Sequence, residues 1–280
     1  MQSGILIIDK PEGMTSHDVV AKVRKALHTK KVGHTGTLDP LATGVLVVCV
    51  EKATKLVQYL TCENKTYDVQ MKLGLKTDTG DITGRVIETD LNIDKVLDEL
   101  NEDKIYEVLK TFIGAQKQVP PMYSAIKVNG KKLYELAREG IEIEREARDI
   151  EIHEINNVVF ENDILKFTVS CSKGTYVRSL CEDIAKKFGT CGTMTNLRRT
   201  VTGEFDLKAS IKIEDISEEK IISMEKLFDK KIDVENVLKK LINGEEIKVD
   251  LEDGLYNLYA EEYLGIGKVK GKRLKREIIL

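Results

Sequence analysis

The sequence has few of the features that mark membrane, secreted and metal-binding proteins. No apolar run approaches the roughly 20 residues that a transmembrane helix needs, and the first residues lack the basic start and long apolar core of a signal peptide. The five cysteines form no Cys-x-x-Cys pair, and the four histidines have no ligand spacing. We therefore expect a cytoplasmic protein with reduced, buried thiols, no membrane association and no bound metal. The cysteines are Cys49, Cys62, Cys171, Cys181 and Cys191.

Nucleotide-binding glycine motifs are also missing, because neither a Gly-x-Gly-x-x-Gly run nor a phosphate loop occurs. We therefore expect no nucleotide cofactor. The 280 residues suffice for a large catalytic domain and a small appendage.

The net charge of −3 does not by itself indicate a nucleic-acid binder, but the charges are segregated. Eight acidic residues lie between Glu88 and Glu107, whereas six basic and no acidic residues lie between Lys268 and Arg276. In this way an acidic helix can cancel a basic surface in the net charge, although that surface still contacts phosphate. A solvated strand or a frayed terminus is the open alternative for the basic tail.

The most informative stretch runs from Gly33 to Leu46 and packs three glycines and a proline around Asp39 and His34. An aspartate before proline is biased toward extended or turn geometry, so Asp39 should stand in a loop. The apolar run Val45 to Val50 that follows predicts a strand buried on both faces. A working carboxylate and a simple Asp-Pro turn are both compatible with this spacing.

This stretch, Gly-His-Thr-Gly-Thr-Leu-Asp-Pro-Leu-Ala-Thr-Gly-Val-Leu, resembles the signature of the bacterial tRNA pseudouridine-55 synthases, the TruB family. The resemblance implies an α+β protein with the pseudouridine synthase fold. That fold has a mixed, mainly antiparallel sheet, flanking helices and a thumb insertion, followed here by a short PUA-like RNA-binding appendage. The resemblance further implies that Asp39 is the nucleophile and that His34 fills space beside an extruded base.

Two further segments near the amino terminus resemble family motifs. Lys10-Pro11-x-Gly13-x-Thr15-Ser16 resembles the amino-terminal motif, so Lys10 is assigned to the substrate-binding set. Strict alternation from Lys65 to Gly74 predicts a half-buried strand on which Tyr67 shares the inward face. Such a tyrosine fits a core residue or a catalytic one. The resemblance implies that Tyr67 stacks on the target uracil and takes part in catalysis.

The carboxyl-terminal half supplies the remaining candidates. A helix should begin near Tyr176, with Arg178 in its first turn. A positive charge at this end opposes the helix dipole, and a carboxylate partner would offset that cost. The resemblance names Asp39 as that partner of Arg178 and places Tyr176 in the uridine pocket. In the motif Gly192 to Thr200, it implies that Leu197 packs on the base and that Arg198 and Arg199 lie near RNA.

The domain organisation follows from the same reading. We expect a catalytic domain over residues 1–235, with a thumb at about 116–148 that carries Lys127, and a small carboxyl-terminal region over 236–280. A helix-prone acidic segment is expected from Ile93 to Phe112, and strands are expected at Leu255 to Tyr259 and Leu264 to Val269.

The predicted function is isomerisation of the uridine at position 55, in the T-loop of tRNA, by a monomer that extrudes the base and uses no cofactor. Asp39, Tyr67 and Arg178 are the predicted catalytic residues. A guide-RNA-dependent relative is disfavoured by the thumb-like insertion and the short tail. A tRNA-binding chaperone remains the alternative from another class.

Overall fold

The computed structural model describes residues 2–61, 64–128 and 130–280. Cys62 lies outside these ranges, and the other four cysteines are free and buried as predicted. In the described part of the chain, no helix is both long and apolar enough to cross a bilayer.

The secondary structure is dominated by strands. In chain order they are β1 (Gly4–Lys10), β2 (Val32–His34), β3 (Thr43–Val50), β4 (Lys65–Leu73), β5 (Leu75–Thr77), β6 (Val86–Thr89), β7 (Gly114–Gln118), β8 (Lys127–Val128), β9 (Lys131–Lys132), β10 (Arg148–Glu161), β11 (Ile164–Cys171), β12 (Gly192–Thr202), β13 (Phe205–Asp206), β14 (Ile222–Ser223), β15 (Lys231–Asp233), β16 (Ile247–Lys248), β17 (Gly254–Tyr259), β18 (Tyr263–Lys270) and β19 (Arg273–Ile279). The helices are α1 (Ser16–Ala26), α2 (Val57–Leu60), α3 (Ile93–Glu99), α4 (Glu102–Lys110), α5 (Leu133–Arg138), α6 (Val177–Lys187) and α7 (Leu238–Ile242).

A ten-stranded sheet forms the body of the protein, with the order β14-β1-β3-β12-β4-β11-β10-β7 and with β2 and β13 paired to β3 and β12. In the described residues β3 and β12 run parallel, and the other pairs of this sheet are antiparallel. The mixed, mainly antiparallel sheet predicted from the sequence is therefore confirmed. The parallel pair sets Arg198 opposite Thr43 and Arg199 opposite Gly44, beside the loop that carries Asp39.

Local patterns explain the central elements. Residues 45–50 of β3 are all buried, and in β4 the residues Tyr67, Val69, Met71 and Leu73 are buried in alternation, as predicted. Thr15 caps α1 through a capping box with Asp18, which satisfies two of the amide groups left unpaired at the helix start.

The helix-prone acidic segment from Ile93 to Phe112 forms two helices, α3 and α4. Leu100 is extended, and the Asn101 side chain accepts a hydrogen bond from the backbone N–H of Lys104. Asparagine competes for backbone groups in this way, so it favours a helix start over a helix interior.

The carboxyl-terminal strands form a separate five-stranded sheet with the order β15-β17-β18-β19-β16. Its first strand starts at Lys231, ahead of the boundary at residue 236 expected from the sequence. The two predicted strands are confirmed as β17 and β18, and the basic segment adds β19. Acidic side chains neutralise part of that segment: Lys272 pairs with Asp250 at 2.6 Å, and Arg273 pairs with Glu246 at 3.3 Å.

The two sheets share a core. One apolar cluster combines Ile5, Ile7, Val45 and Val47 of β1 and β3 with buried residues of the carboxyl-terminal sheet, which include Ile266 on β18. A second cluster covers the opposite face of the main sheet with side chains from α1, α4 and α6. The strand that leads out of the Asp39 loop is thus packed on both faces.

Replacing Ile266 by alanine should lower the free energy of unfolding by about 2–5 kcal/mol, because the side chain is wholly buried and leaves a cavity between the sheets. Urea unfolding followed by circular dichroism measures this change, since the sequence contains no tryptophan. Ile242→Ala is the control and should cost about 0.5 kcal/mol or less, because Ile242 is 45% exposed. Two separate unfolding transitions, only one of which is shifted by Ile266→Ala, would contradict a core shared by the two sheets.

Candidate active site

Asp39 stands in the loop between β2 and β3, as predicted. The Ser16 hydroxyl accepts a hydrogen bond from the Leu38 N–H at 2.8 Å, and the Ala42 N–H donates to the Asp39 carbonyl at 3.0 Å. The loop enters β3 at Gly44, whose φ of +101° and close approach to the Arg199 carbonyl leave no room for a Cβ. Packing against α1 and β12 therefore fixes the backbone that carries the carboxylate.

Lys10 supports this loop from within. The side chain is 0% exposed, and its ammonium donates to the carbonyls of Pro11 at 2.9 Å, Met14 at 2.7 Å and Pro40 at 3.4 Å. Burial lowers the pKa of Lys10 to about 8, and the charge of Asp39 opposes that shift. An ammonium bonded to these carbonyls holds the loop in place, and the assignment of Lys10 to substrate binding stays a prediction.

Arg178 lies in the first turn of α6, and its Nε is 2.9 Å from Asp39 Oδ2. Its two terminal nitrogens donate to the carbonyls of Thr79 and Tyr123, each at 2.8 Å. The arginine side chain is 6% exposed, whereas that of Asp39 is 33% exposed. The Arg178 guanidinium is therefore fixed by backbone carbonyls inside the protein, and the Asp39 carboxylate remains partly exposed to solvent.

Burial raises the pKa of Asp39 above its ordinary value, and the neighbouring charges act in both directions. Arg178 and Lys10 favour the ionised carboxylate, whereas Asp81 opposes it. Asp81 is buried in the loop between β5 and β6, where its side chain accepts hydrogen bonds from Thr79 and Thr83. Arg178 contributes the larger of the two favourable charge effects.

Tyr67 lies on the inward face of β4, 8% exposed. Burial raises the pKa of its hydroxyl, and the neighbouring Arg199 guanidinium opposes this shift. Arg199 is 1% exposed and donates to the carbonyls of Val45 at 2.7 Å and Gly36 at 3.1 Å. It thus ties the Asp39 loop to β12 beneath Tyr67.

Sequence reasoning missed Arg199 as a site residue and placed it near RNA with Arg198. The alternation of β12 contains the signal, because Leu197 and Arg199 are buried while Arg198 between them is partly exposed. Leu197 is 6% exposed and belongs to the core cluster that also contains Tyr67.

Tyr176 directly precedes α6, as predicted, and burial raises the pKa of its hydroxyl. Its hydroxyl and that of Tyr67 both lie close enough to Asp39 for the carboxylate charge to raise their pKa values further. Asp39 therefore interacts electrostatically with Arg178, Tyr67 and Tyr176.

The remaining predicted residues lie around this group. His34 ends β2 half-buried, 6.0 Å from the ring of His17, and burial lowers its pKa. Arg198 binds Asp9 at 2.8 Å and the Thr43 hydroxyl at 3.2 Å. Lys127 is exposed on the β8–β9 hairpin of the expected thumb and is not brought to Asp39.

The residues described by the structure include no cluster of three or more histidine, cysteine, aspartate or glutamate side chains that could hold a metal ion. The ionisable side chains that act on Asp39 here include the Arg178 guanidinium and the Lys10 ammonium, and the phenols of Tyr67 and Tyr176 lie in its field.

Comparison with solved structures places the fold in a class. A chain of a Cbf5–Nop10–Gar1 complex is 29% identical with a TM-score of 0.72 and covers 99% of this chain and 85% of its own. A chain of an H/ACA RNP bound to a substrate RNA containing 2′-deoxyuridine is 27% identical with a TM-score of 0.69, covering 99% and 84%. Together with the pseudouridylate synthase family model that matches residues 24–177, these scores identify the fold as that of the pseudouridine synthases.

The sequence comparisons narrow the class to one family. Residues 24–177 match the TruB family pseudouridylate synthase (N terminal domain), and residues 178–249 match the tRNA pseudouridylate synthase B C-terminal domain. tRNA pseudouridine synthase B of Bacillus pumilus is 52% identical over 227 residues, which cover 78% of this chain and 72% of that protein. The protein of the same name from Clostridium perfringens is 45% identical over 295 residues, covering 99% of each chain. The chain belongs to the TruB family of pseudouridylate synthases.

Proposed function

We propose that this protein isomerises uridine to pseudouridine in tRNA, at position 55 in the T-loop, with Asp39 as the nucleophile. The observation that carries the proposal is the contact between Asp39 and Arg178, because it places an ionisable carboxylate on a fixed guanidinium at the open side of the site. The tRNA substrate agrees with the names of the relatives that cover nearly the whole chain.

The reaction breaks the bond from ribose carbon to uracil nitrogen and remakes it to a ring carbon. A carboxylate can act on the sugar carbon, act on the uracil ring, or drive elimination at the neighbouring sugar carbon. Each route starts from ionised Asp39. Arg178 favours that form, and its anchors on Thr79 and Tyr123 keep it in place during the reaction.

The target uridine must leave the RNA stack to reach Asp39, because a stacked base hides its glycosidic bond. In this proposal Tyr67 offers the stacking surface, Leu197 and Tyr176 form the walls, and His34 fills space beside the base. Stacking on an aromatic ring contributes about 1–3 kcal/mol per base, which is comparable with the cost of unstacking.

The expected thumb carries the charges that would meet the T-arm. Lys127 is exposed on the hairpin, and Lys132 and Arg138 lie over the Tyr134 ring at 5.3 and 5.4 Å from its centroid. Folded RNA is read largely through shape and backbone contacts, so a basic, structured insertion suits it. Arg198 and the carboxyl-terminal sheet, as a PUA-like appendage, are proposed to extend this contact.

The proposal is tested by incubating the protein with an unmodified tRNA transcript, without guide RNA, and mapping pseudouridine by carbodiimide-dependent reverse-transcription stops. One stop in the T-loop is expected. Activity that requires an added guide would favour the guide-dependent alternative. No stop despite intact tRNA binding would favour a tRNA-folding chaperone, and a stop elsewhere would overturn the position.

A further inference from the structure

The thumb leaves and rejoins the main sheet through one residue pair. β7 ends at Gln118, β10 begins at Arg148, and these two residues face each other in the antiparallel register. Residues 119–147 are therefore connected to the main sheet at the Gln118–Arg148 pair. The Gln118 side chain does not point to solvent, since the residue is 5% exposed.

The Gln118 amide instead binds the residue that precedes α6. Its Oε1 accepts a hydrogen bond from the Tyr176 N–H at 2.8 Å, and its Nε2 donates to the Tyr176 carbonyl at 3.1 Å. A primary amide has both an acceptor and donors on one plane, so it can satisfy both backbone groups of one residue. The Tyr176 side chain makes no capping hydrogen bond to α6 within the described residues, so the Gln118 amide supplies side-chain hydrogen bonds to the residue at which the helix begins.

Two more contacts join the same segments. Arg178 donates to the Tyr123 carbonyl at 2.8 Å, and the Ser179 hydroxyl donates to the Val119 carbonyl at 3.3 Å. The thumb base, residues 118–124, is thus attached to three residues around the start of α6: Tyr176, Arg178 and Ser179. Arg178, the partner of Asp39, lies in the middle of this attachment.

We infer that Gln118 is a positioning residue for pseudouridine formation: by holding Tyr176 at the start of α6, it orients the Arg178 guanidinium against Asp39. This inference rests on the proposed function. A thumb that shifts moves Gln118, Tyr123 and hence Arg178, so the attachment also links the thumb to the catalytic carboxylate.

The size of the effect follows from geometry. Without the amide, the start of α6 keeps its contacts at Tyr123 and Val119 but loses the two hydrogen bonds from Gln118 to the Tyr176 backbone. A displacement of about 1 Å at a reacting group can slow a reaction by about 10²-fold. We therefore expect Gln118→Met, which keeps the side-chain length without the amide, to slow the chemical step by about 10- to 100-fold.

The test measures single-turnover pseudouridine formation with enzyme in excess, tRNA affinity by filter binding, and the pH dependence of the rate. Gln118→Glu is the second variant, because its carboxylate can accept from the Tyr176 N–H but cannot donate to the carbonyl. Gln116→Met is the matched control: Gln116 lies on the same strand and donates to the Phe112 carbonyl instead. Wild-type activity is measured first, so that failure of the proposed function is separated from failure of this inference.

The expected result is a slower single-turnover rate in both Gln118 variants, tRNA affinity within about threefold of wild type, and an acidic limb of the rate profile displaced to higher pH. That limb reports the ionisation of Asp39. The charged groups that act on Asp39 are Arg178 on α6, Asp81 on the β5–β6 loop and Lys10 on β1. Rates equal to those of Gln116→Met would overturn the inference. A slower rate with an unmoved acidic limb, or one matched by an equal loss of tRNA affinity, would also overturn it.

Discussion

Asp39→Asn is expected to reduce pseudouridine formation by at least about 10³-fold, the largest effect of any single substitution considered for this protein. Asparagine fills the same volume but carries no negative charge, so it supplies neither the nucleophile nor the counter-charge of Arg178 at 2.9 Å. Removing a nucleophile typically leaves the residual rate that binding and the surrounding dipoles provide. Single-turnover mapping of pseudouridine with excess enzyme measures the loss without interference from product release.

The control for this substitution is Asp163→Asn. Asp163 is also ion-paired, with Lys72 at 2.5 Å, but it lies beside the far end of β4 from Tyr67. Its replacement should leave the rate within about threefold of wild type, and both variants should bind tRNA. An Asp39→Asn protein with a tenth or more of the wild-type rate would make Asp39 an ordinary Asp-Pro turn residue.

Periodicity was sufficient to predict the strands that frame the site. The continuous apolar run of β3 and the alternation of β4 each determine which side chains are buried, because a strand repeats every two residues. The helix dipole argument gave a physical hint that Arg178 needs a carboxylate, but the identity of the partner came from the family resemblance. Local pattern alone does not say which distant loop meets α6.

The buried polar residues of the site were beyond the sequence argument. Lys10, Arg199 and Gln118 all appear as ordinary polar residues, and each is satisfied by backbone groups that the fold brings from elsewhere. Arg199 is the clearest case, because the carbonyls of Gly36 and Val45 face it only after β3 pairs in parallel with β12. Burying such groups costs free energy unless partners are present, and tertiary structure supplies those partners.

The basic carboxyl-terminal tail is a second region in which the sequence did not reveal the partners of charged side chains. Its charge suggested a free surface for phosphate, yet Glu246 and Asp250 pair with Arg273, Lys275 and Lys272. These acids follow α7, whereas the paired basic residues lie on β19 and in the turn before it, so composition along the chain did not reveal the pairing. The RNA contact proposed for this region therefore depends on fewer unpaired charges than the sequence suggests.

Arg178→Lys is expected to slow pseudouridine formation by about 10²-fold and to move the acidic limb of the rate profile to higher pH. Lysine keeps one positive charge but cannot reach Asp39, Thr79 and Tyr123 together, as the three guanidinium nitrogens do. The sign follows from the groups present. Burial already raises the pKa of Asp39 and Arg178 opposes that rise, so weakening Arg178 raises the pKa further and reduces the ionised fraction at any given pH.

The loss caused by Arg178→Lys should therefore be largest at low pH and should shrink as the pH rises through the pKa of Asp39. Single-turnover rates measured across the pH range, with tRNA affinity measured at each pH, separate this behaviour from a binding defect. Arg85→Lys is the matched control, because Arg85 lies 4.0 Å from Asp78 in an exposed pair and is 82% exposed. If Arg178→Lys lowered the rate by the same factor at every pH, Arg178 would act by holding the thumb base and α6 in place, and its charge would not control the ionisation of Asp39.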